Sequence, residues 1–206
     1  MLAKLDAPGW WFMESPRTGT STIERTLKHI FPEAKAVYAK HWPILPPEGF
    51  LKRSDTLSVI SVRNPYSRAI SCWQYFTRPG EFTFLEWTEK RLKEGWFDTH
   101  IEARPQVFWF NLWKWDVIIE QEKLAAHFWS FVHRIDPEID AFELHRYNDI
   151  NGQWVNRVRA KTQRHRPWQE YYCPKTEENI RQLYVADFIC LSDQYQKEFP
   201  GIVAAS

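Results

Sequence analysis

Apolar residues fall into short dense runs separated by stretches in which they recur every three or four positions. The first run is Trp10 to Met13, read as a short strand. Glu14 to Gly19 follows as a turn, and then Ile23, Leu27 and Ile30 recur at helical spacing with Glu24, Arg25 and Lys28 opposite. Ser21 and Glu24 have the spacing of a capping box, and Pro32 marks the stop. Ala36 to Tyr38 is a second strand candidate, running into Lys40-His41-Trp42-Pro43 and a proline-rich loop that ends at Gly49. Thr56 to Val62 is β-branched and apolar, as a buried parallel strand requires, and Arg63-Asn64-Pro65 ends it before a helix over 66–76.

Further along, residues 82–93 read as a helix with Leu85 and Leu92 inward, and 95–106 as mostly loop. Trp115 to Glu120 is another buried strand. Residues 123–134 then place Leu124, Phe128, Phe131 and Val132 on one helix face. A final helical region over 177–197 carries Ile180, Leu183, Tyr184, Phe188, Leu191 and Tyr195 as its stripe. Residues 139–159 show no clear period. Strands alternating with helices imply an α/β fold, a central parallel sheet flanked by helices in three layers. The opening strand–loop–helix makes it P-loop-like. Ligands of such folds sit at the carboxyl ends of the strands, where the 14–19 turn, His41 and Arg63 all fall.

Composition narrows the function. The 206 residues suit a single domain, 1–206, and can bury roughly 70% of the unfolded surface without a metal or disulfide staple. Net charge is +1, from 27 basic and 26 acidic residues, which argues against a bulk nucleic-acid binder. The three cysteines, Cys72, Cys173 and Cys190, are widely spaced with no CxxC, and read as reduced, mostly buried thiols. No His/Cys/Asp cluster has metal-ligand spacing. The apolar run in MLAKLDAPGWWF is too short for a signal peptide, and no stretch approaches a membrane span. The expectation is therefore a soluble, cytoplasmic protein with no membrane or nucleic-acid partner. The 12 Trp, 14 Phe and 8 Tyr serve a ring-built core before they serve a stacking surface.

The chemistry concentrates in the first turn. Pro16-Arg17-Thr18-Gly19-Thr20-Ser21-Thr22 joins one cation to a row of hydroxyls at a helix start, where free backbone N–H groups and the helix dipole favour a phosphate or sulfate. It lacks GxxxxGK[ST], so an ordinary ATPase or kinase loses support. This segment resembles the 5′-phosphosulfate loop of the PAPS-dependent sulfotransferases, with Arg17 where a Lys is commoner, as in some carbohydrate sulfotransferases. A guanidinium offers a permanently charged fork to the departing group but does not readily give it a proton. Val62 to Ser71 resembles the same family's 3′-phosphate segment, which pairs an Arg at a strand end with a Ser eight residues on: here Arg63 and Ser71. Arg68 is a further cation on that helix. Softer similarities to the carbohydrate (Golgi-type) branch follow: His100 with Arg104-Pro105-Gln106, Val155-Asn156 through Glu170-Tyr171-Tyr172, and Leu183-Tyr184 with Asp187-Phe188.

The resemblance implies a sulfotransferase moving a sulfuryl group from PAPS to a hydroxyl of a carbohydrate or small-molecule acceptor, releasing PAP, without a metal. Pro16, Arg17, Thr18, Gly19, Thr20, Ser21 and Thr22 would hold the phosphosulfate, and Arg63 and Ser71 the 3′-phosphate. The family's lid over the nucleotide would draw on Arg157, Arg159, Lys161, Arg164 and Arg166, with Lys161 and Arg164 as nucleotide contacts. Transfer needs a base near neutral pH: His41 comes first, His100 second and Glu14 third. Trp42, Trp109, Trp113 and Trp115 are the candidates to stack on a sugar acceptor. Two alternatives stay open. One is a non-catalytic PAP- or nucleotide-binding protein; the other is a divergent P-loop nucleotide kinase.

Overall fold

The computed structural model describes residues 10–31, 38–40, 57–95, 101–110, 114–139 and 167–191. Strand β1 (Trp10–Glu14) leads through a tight turn into helix α1 (Thr20–Ile30), and β2 (Tyr38–Lys40) follows. Next come β3 (Leu57–Val62), α2 (Pro65–Phe76) and α3 (Phe84–Glu94). A 3-10 turn (Ile101–Ala103), a short helix α4 (Val107–Phe110), β4 (Val117–Glu120) and α5 (Leu124–Ile135) lie beyond. The described chain closes with a 3-10 turn (Trp168–Tyr171), α6 (Pro174–Leu183) and α7 (Val185–Cys190).

The strands form a parallel sheet in the order β2-β1-β3-β4. Phe12 aligns with Tyr38 on one side and Val59 on the other, and Val59 with Val117. Side chains alternate across this sheet, so a continuous apolar strand fills two cores at once. Trp10, Phe12, Val59 and Ile119 face α1 and α5, meeting Ile23, Leu27, Phe128, Phe131 and Val132. Trp11, Met13 and Ile60 face the other way, onto Trp109, with Ile101 and Trp115 against them. On that second side α2, α3 and α6 build a further cluster from Ala69, Ile70, Phe84, Trp87, Ile180 and Tyr184.

This order places a topological switch between β1 and β3. From β1 the chain turns to β2 on one side, then crosses back to β3 on the other. The connections leaving β1 and β3 therefore diverge, and a crevice opens between their carboxyl ends. The 14–19 turn and Arg63 both stand at it.

Several local expectations are corrected. The Ser21–Glu24 capping box does not form, because Gly19 in left-handed conformation (φ 88°) takes the N-cap position and Glu24 bonds Lys28 instead. In α3 the inward residues are Phe84, Trp87 and Thr88, whereas Leu92 is 37% exposed. The large rings there win the contact with α6. The last helical stretch begins at Pro174, and it breaks at Tyr184 into two helices. Only Cys72 is buried; Cys173 and Cys190 are exposed thiols. Trp109 lies wholly in the core, so its ring is not offered to a sugar, whereas Trp115 is half-buried and packs on Trp11 at 5.0 Å. Trp42, Trp113 and Tyr195 lie outside the described residues. Among the described residues, no helix is long and apolar enough to cross a membrane.

Candidate anion-binding site

The first turn is shaped by what holds its carbonyl groups. The Thr18 hydroxyl donates to the Ser15 carbonyl at 2.6 Å and meets Ser61 Oγ on β3, also at 2.6 Å. Arg68 Nε donates to the Pro16 carbonyl at 3.0 Å, and Arg63 Nη1 to the Arg17 carbonyl at 3.3 Å. In each peptide plane the N–H points opposite to the carbonyl. Holding the carbonyls of Pro16 and Arg17 on the arginine side therefore turns the N–H groups of Arg17 and Thr18 away from it. Those two, with the N–H groups of Gly19, Thr20 and Ser21, meet no acceptor among the described residues. Intrahelical pairing begins only at Thr22 and Ile23, both bonded to the Gly19 carbonyl. The result is a run of free donors ending at the positive end of α1.

The turn carries backbone strain at its cation. Arg17 has φ 66°, the only non-glycine residue with positive φ among those described. That conformation sends its side chain to α2, where Nε and Nη2 both donate to Ser71 Oγ, at 3.1 and 2.9 Å. Its guanidinium also lies over the Tyr75 ring, 4.2 Å from the centroid.

Arg63 is fixed at both ends. Gln106 grips its backbone, accepting from the Arg63 N–H at 2.8 Å and donating to its carbonyl at 2.6 Å. Its Nε donates to Ser67 Oγ at 2.8 Å, so the hydroxyl nearest this arginine is Ser67 and not Ser71. Glu122 accepts from the Asn64 N–H and from Ser67 Oγ, at 2.9 and 3.0 Å. Asn64 caps α2 through the Tyr66 N–H.

Burial makes these cations uncomfortable. It pulls the Arg63 guanidinium down to about 10, although the nearby Glu122 carboxylate favours its charge and Arg17 and Arg68 oppose it. Burial also lowers Arg17, with Arg68 adding to the effect. Both remain charged at neutral pH. An anion entering the crevice would relieve this repulsion, and the hydroxyls of Thr20, Ser21 and Thr22 make no hydrogen bond among the described residues. The Thr18 hydroxyl is already committed inside the turn.

Arg68 is a support beneath the crevice. It is fully buried, and besides Pro16 it donates to the Glu102 carbonyl at 2.8 Å, leaving Nη1 unpaired. Asp187 lies in the same interior, accepting from the Val107 N–H at 2.8 Å with its other oxygen unpaired.

The structure thus brings together Pro16 to Thr22, Arg63 and Ser71. His41, His100, Lys161 and Arg164 lie outside the described residues, as do Arg157, Arg159 and Arg166; Glu14 closes β1. Among the described residues, no group of three His, Cys, Asp or Glu is placed to hold a metal ion. The sequence reading missed Ser61, Ser67, Tyr75 and Glu122. Ser67 had a signal, since it stands one helical turn after Arg63, whereas Glu122 belongs to a distant connection and had none. No protein-family model matches the chain, and no curated protein or solved structure matches it.

Proposed function

We propose that this crevice binds a nucleotide carrying both a 5′-phosphosulfate and a 3′-phosphate, and that the protein is a sulfotransferase using PAPS with a carbohydrate or small-molecule hydroxyl as acceptor. One observation carries the reading. The N–H groups from Arg17 to Ser21 meet no acceptor among the described residues and lead to the start of α1, while Arg17 on the same turn and Arg63 at the end of β3 are both desolvated by burial. Arg17 meets no carboxylate among the described residues. Such a site suits a ligand with more than one anionic group.

In this reading the fold is P-loop-like. The N–H groups and Arg17 would take the phosphosulfate, and Arg63 with Ser71 the 3′-phosphate. Arg17 would have one Nη free to reach the sulfuryl oxygens while Ser71 and Tyr75 hold the rest of its fork. Transfer forms a bond between acceptor oxygen and sulfur and breaks the bond from sulfur to the 5′-phosphate oxygen. The acceptor proton passes to a base, for which His41 and then His100 are the proposed groups. Charge gathers on the leaving phosphate, where fixed donors stabilise it without rearrangement.

Titration calorimetry tests the reading directly. PAP should bind clearly more tightly than AMP or ATP, and Arg63→Ala should erase that preference. Equal affinity for all three nucleotides sinks it. Incubation with labelled PAPS and a panel of acceptors then separates an enzyme from a nucleotide-binding protein.

A further inference from the structure

A second concavity lies on the opposite side of α2. Ser71 and Tyr75 meet Arg17, and Trp73, two positions from each, projects about 200° around the helix away from them. Trp73 forms one wall of an open cleft of about 540 Å³, bounded by the 80–83 turn, the start of α3, the 170–171 turn and the start of α6. That size is within the range of small-molecule sites.

Its lining has a consistent character. Trp73, Phe82, Phe84 and Tyr171 contribute rings, with Trp73 at 5.5 Å from Phe84 and 5.7 Å from Tyr171, centroid to centroid. The charged residues of the lining are both acidic, Glu86 and Glu170. Glu86 is locked by the Thr83 cap, whose N–H and hydroxyl donate to it at 2.7 and 2.8 Å, and these bonds hold its carboxyl below the usual range. The Glu170 carboxylate makes no hydrogen bond or ion pair among the described residues. The rings already attract one cation from the chain itself: Lys90 Nζ stands 4.7 Å from the Phe82 centroid.

We propose that this cleft binds a methylated ammonium cation carried on a small organic body. Ring faces present negative potential, and the two lining carboxylates add to it, against the single charge of Lys90 on the Phe82 ring. A primary ammonium would need acceptors for three N–H groups and is strongly hydrated. A methylated one sheds water cheaply and needs only ring faces and nearby negative charge. The inference does not depend on the nucleotide reading of the other crevice.

The experiment compares choline with 3,3-dimethyl-1-butanol, its uncharged carbon counterpart, on the full chain by calorimetry. Choline should bind roughly threefold to thirtyfold more tightly, the range of a ring–cation contact. Glu170→Gln, in an exposed turn, should weaken choline several-fold and leave the alcohol unchanged. Cys173 lines the cleft and is exposed, so choline should slow its alkylation by iodoacetamide, read by mass spectrometry, while Cys190 keeps its rate. Equal binding of the two compounds, no binding of choline, binding indifferent to Glu170→Gln, or binding that leaves Cys173 unprotected each overturns the proposal.

Discussion

Arg17 and Ser71, separated by 54 positions in sequence, are joined by two hydrogen bonds that converge on one hydroxyl oxygen. This contact sews the β1 turn to α2 and sets the direction of the guanidinium fork. Hydrogen bonds to a charged group contribute about 1.5–3 kcal/mol each before geometry is shared. A double-mutant cycle with Arg17→Ala and Ser71→Ala should therefore give a coupling of about 1–2 kcal/mol in urea unfolding. Ser71→Ala alone should also weaken PAP. Additive effects on stability would mean that the two side chains do not act as a unit in solution.

Gly19 supports the same turn through its backbone. A Cβ there would meet only Gln121 and Leu124 side chains at 3.4 and 3.6 Å, so space is not the obstacle. The obstacle is φ 88° at the N-cap of α1. Gly19→Ala should cost about 1–2 kcal/mol, and lower the melting temperature by roughly 2–8 °C. Calorimetric melting checks this; an unchanged midpoint would mean that the turn relaxes to another conformation.

Glu122 has opposed effects on folding and on anion binding. Its carboxylate holds the Asn64 N–H and Ser67 Oγ, and favours the charge on Arg63. Glu122→Gln keeps an acceptor oxygen but removes the charge, so stability should fall by about 1 kcal/mol. The crevice becomes more positive, and PAP or sulfate should bind several-fold more tightly at low salt. Weaker anion binding by the variant would show that the carboxylate's positioning role outweighs its charge.

Asp187 supplies a pH signature. Burial raises its carboxyl above the ordinary value of 3.8, despite the opposing influence of Arg68 and the hydrogen bonds it accepts. Between the unfolded and the raised folded value, the folded protein keeps a proton that the unfolded chain has lost. Stability from this group is thus greatest at acid pH, falls as pH climbs through that window, and stays lower above it. Asp187→Asn should retain the bond from the Val107 N–H and remove this decline. Urea midpoints from pH 4 to 8 test it, with the variant gaining on the parent as pH rises. A gap that shrinks with pH would identify Asp187 as a carboxylate favoured by its pairing.

Sequence and structure divide the account along the range of the interactions. The β-branched run at 57–62, the rings of β1 and the three-to-four spacing in α1 declare local conformation, because burial of one face or both is written into neighbouring residues. The strand–turn–helix units placed Arg17 and Arg63 at strand ends in the same way. What lay beyond the sequence was the order β2-β1-β3-β4, which alone makes the ends of β1 and β3 flank one crevice. The choice of Ser71 for Arg17 and Ser67 for Arg63 also lay beyond it, as did the grip of Gln106 on the Arg63 backbone. The chain determined which residues could bind an anion. Packing across the sheet decided which of them meet, since those contacts join residues whose sequence neighbours carry no trace of the partner.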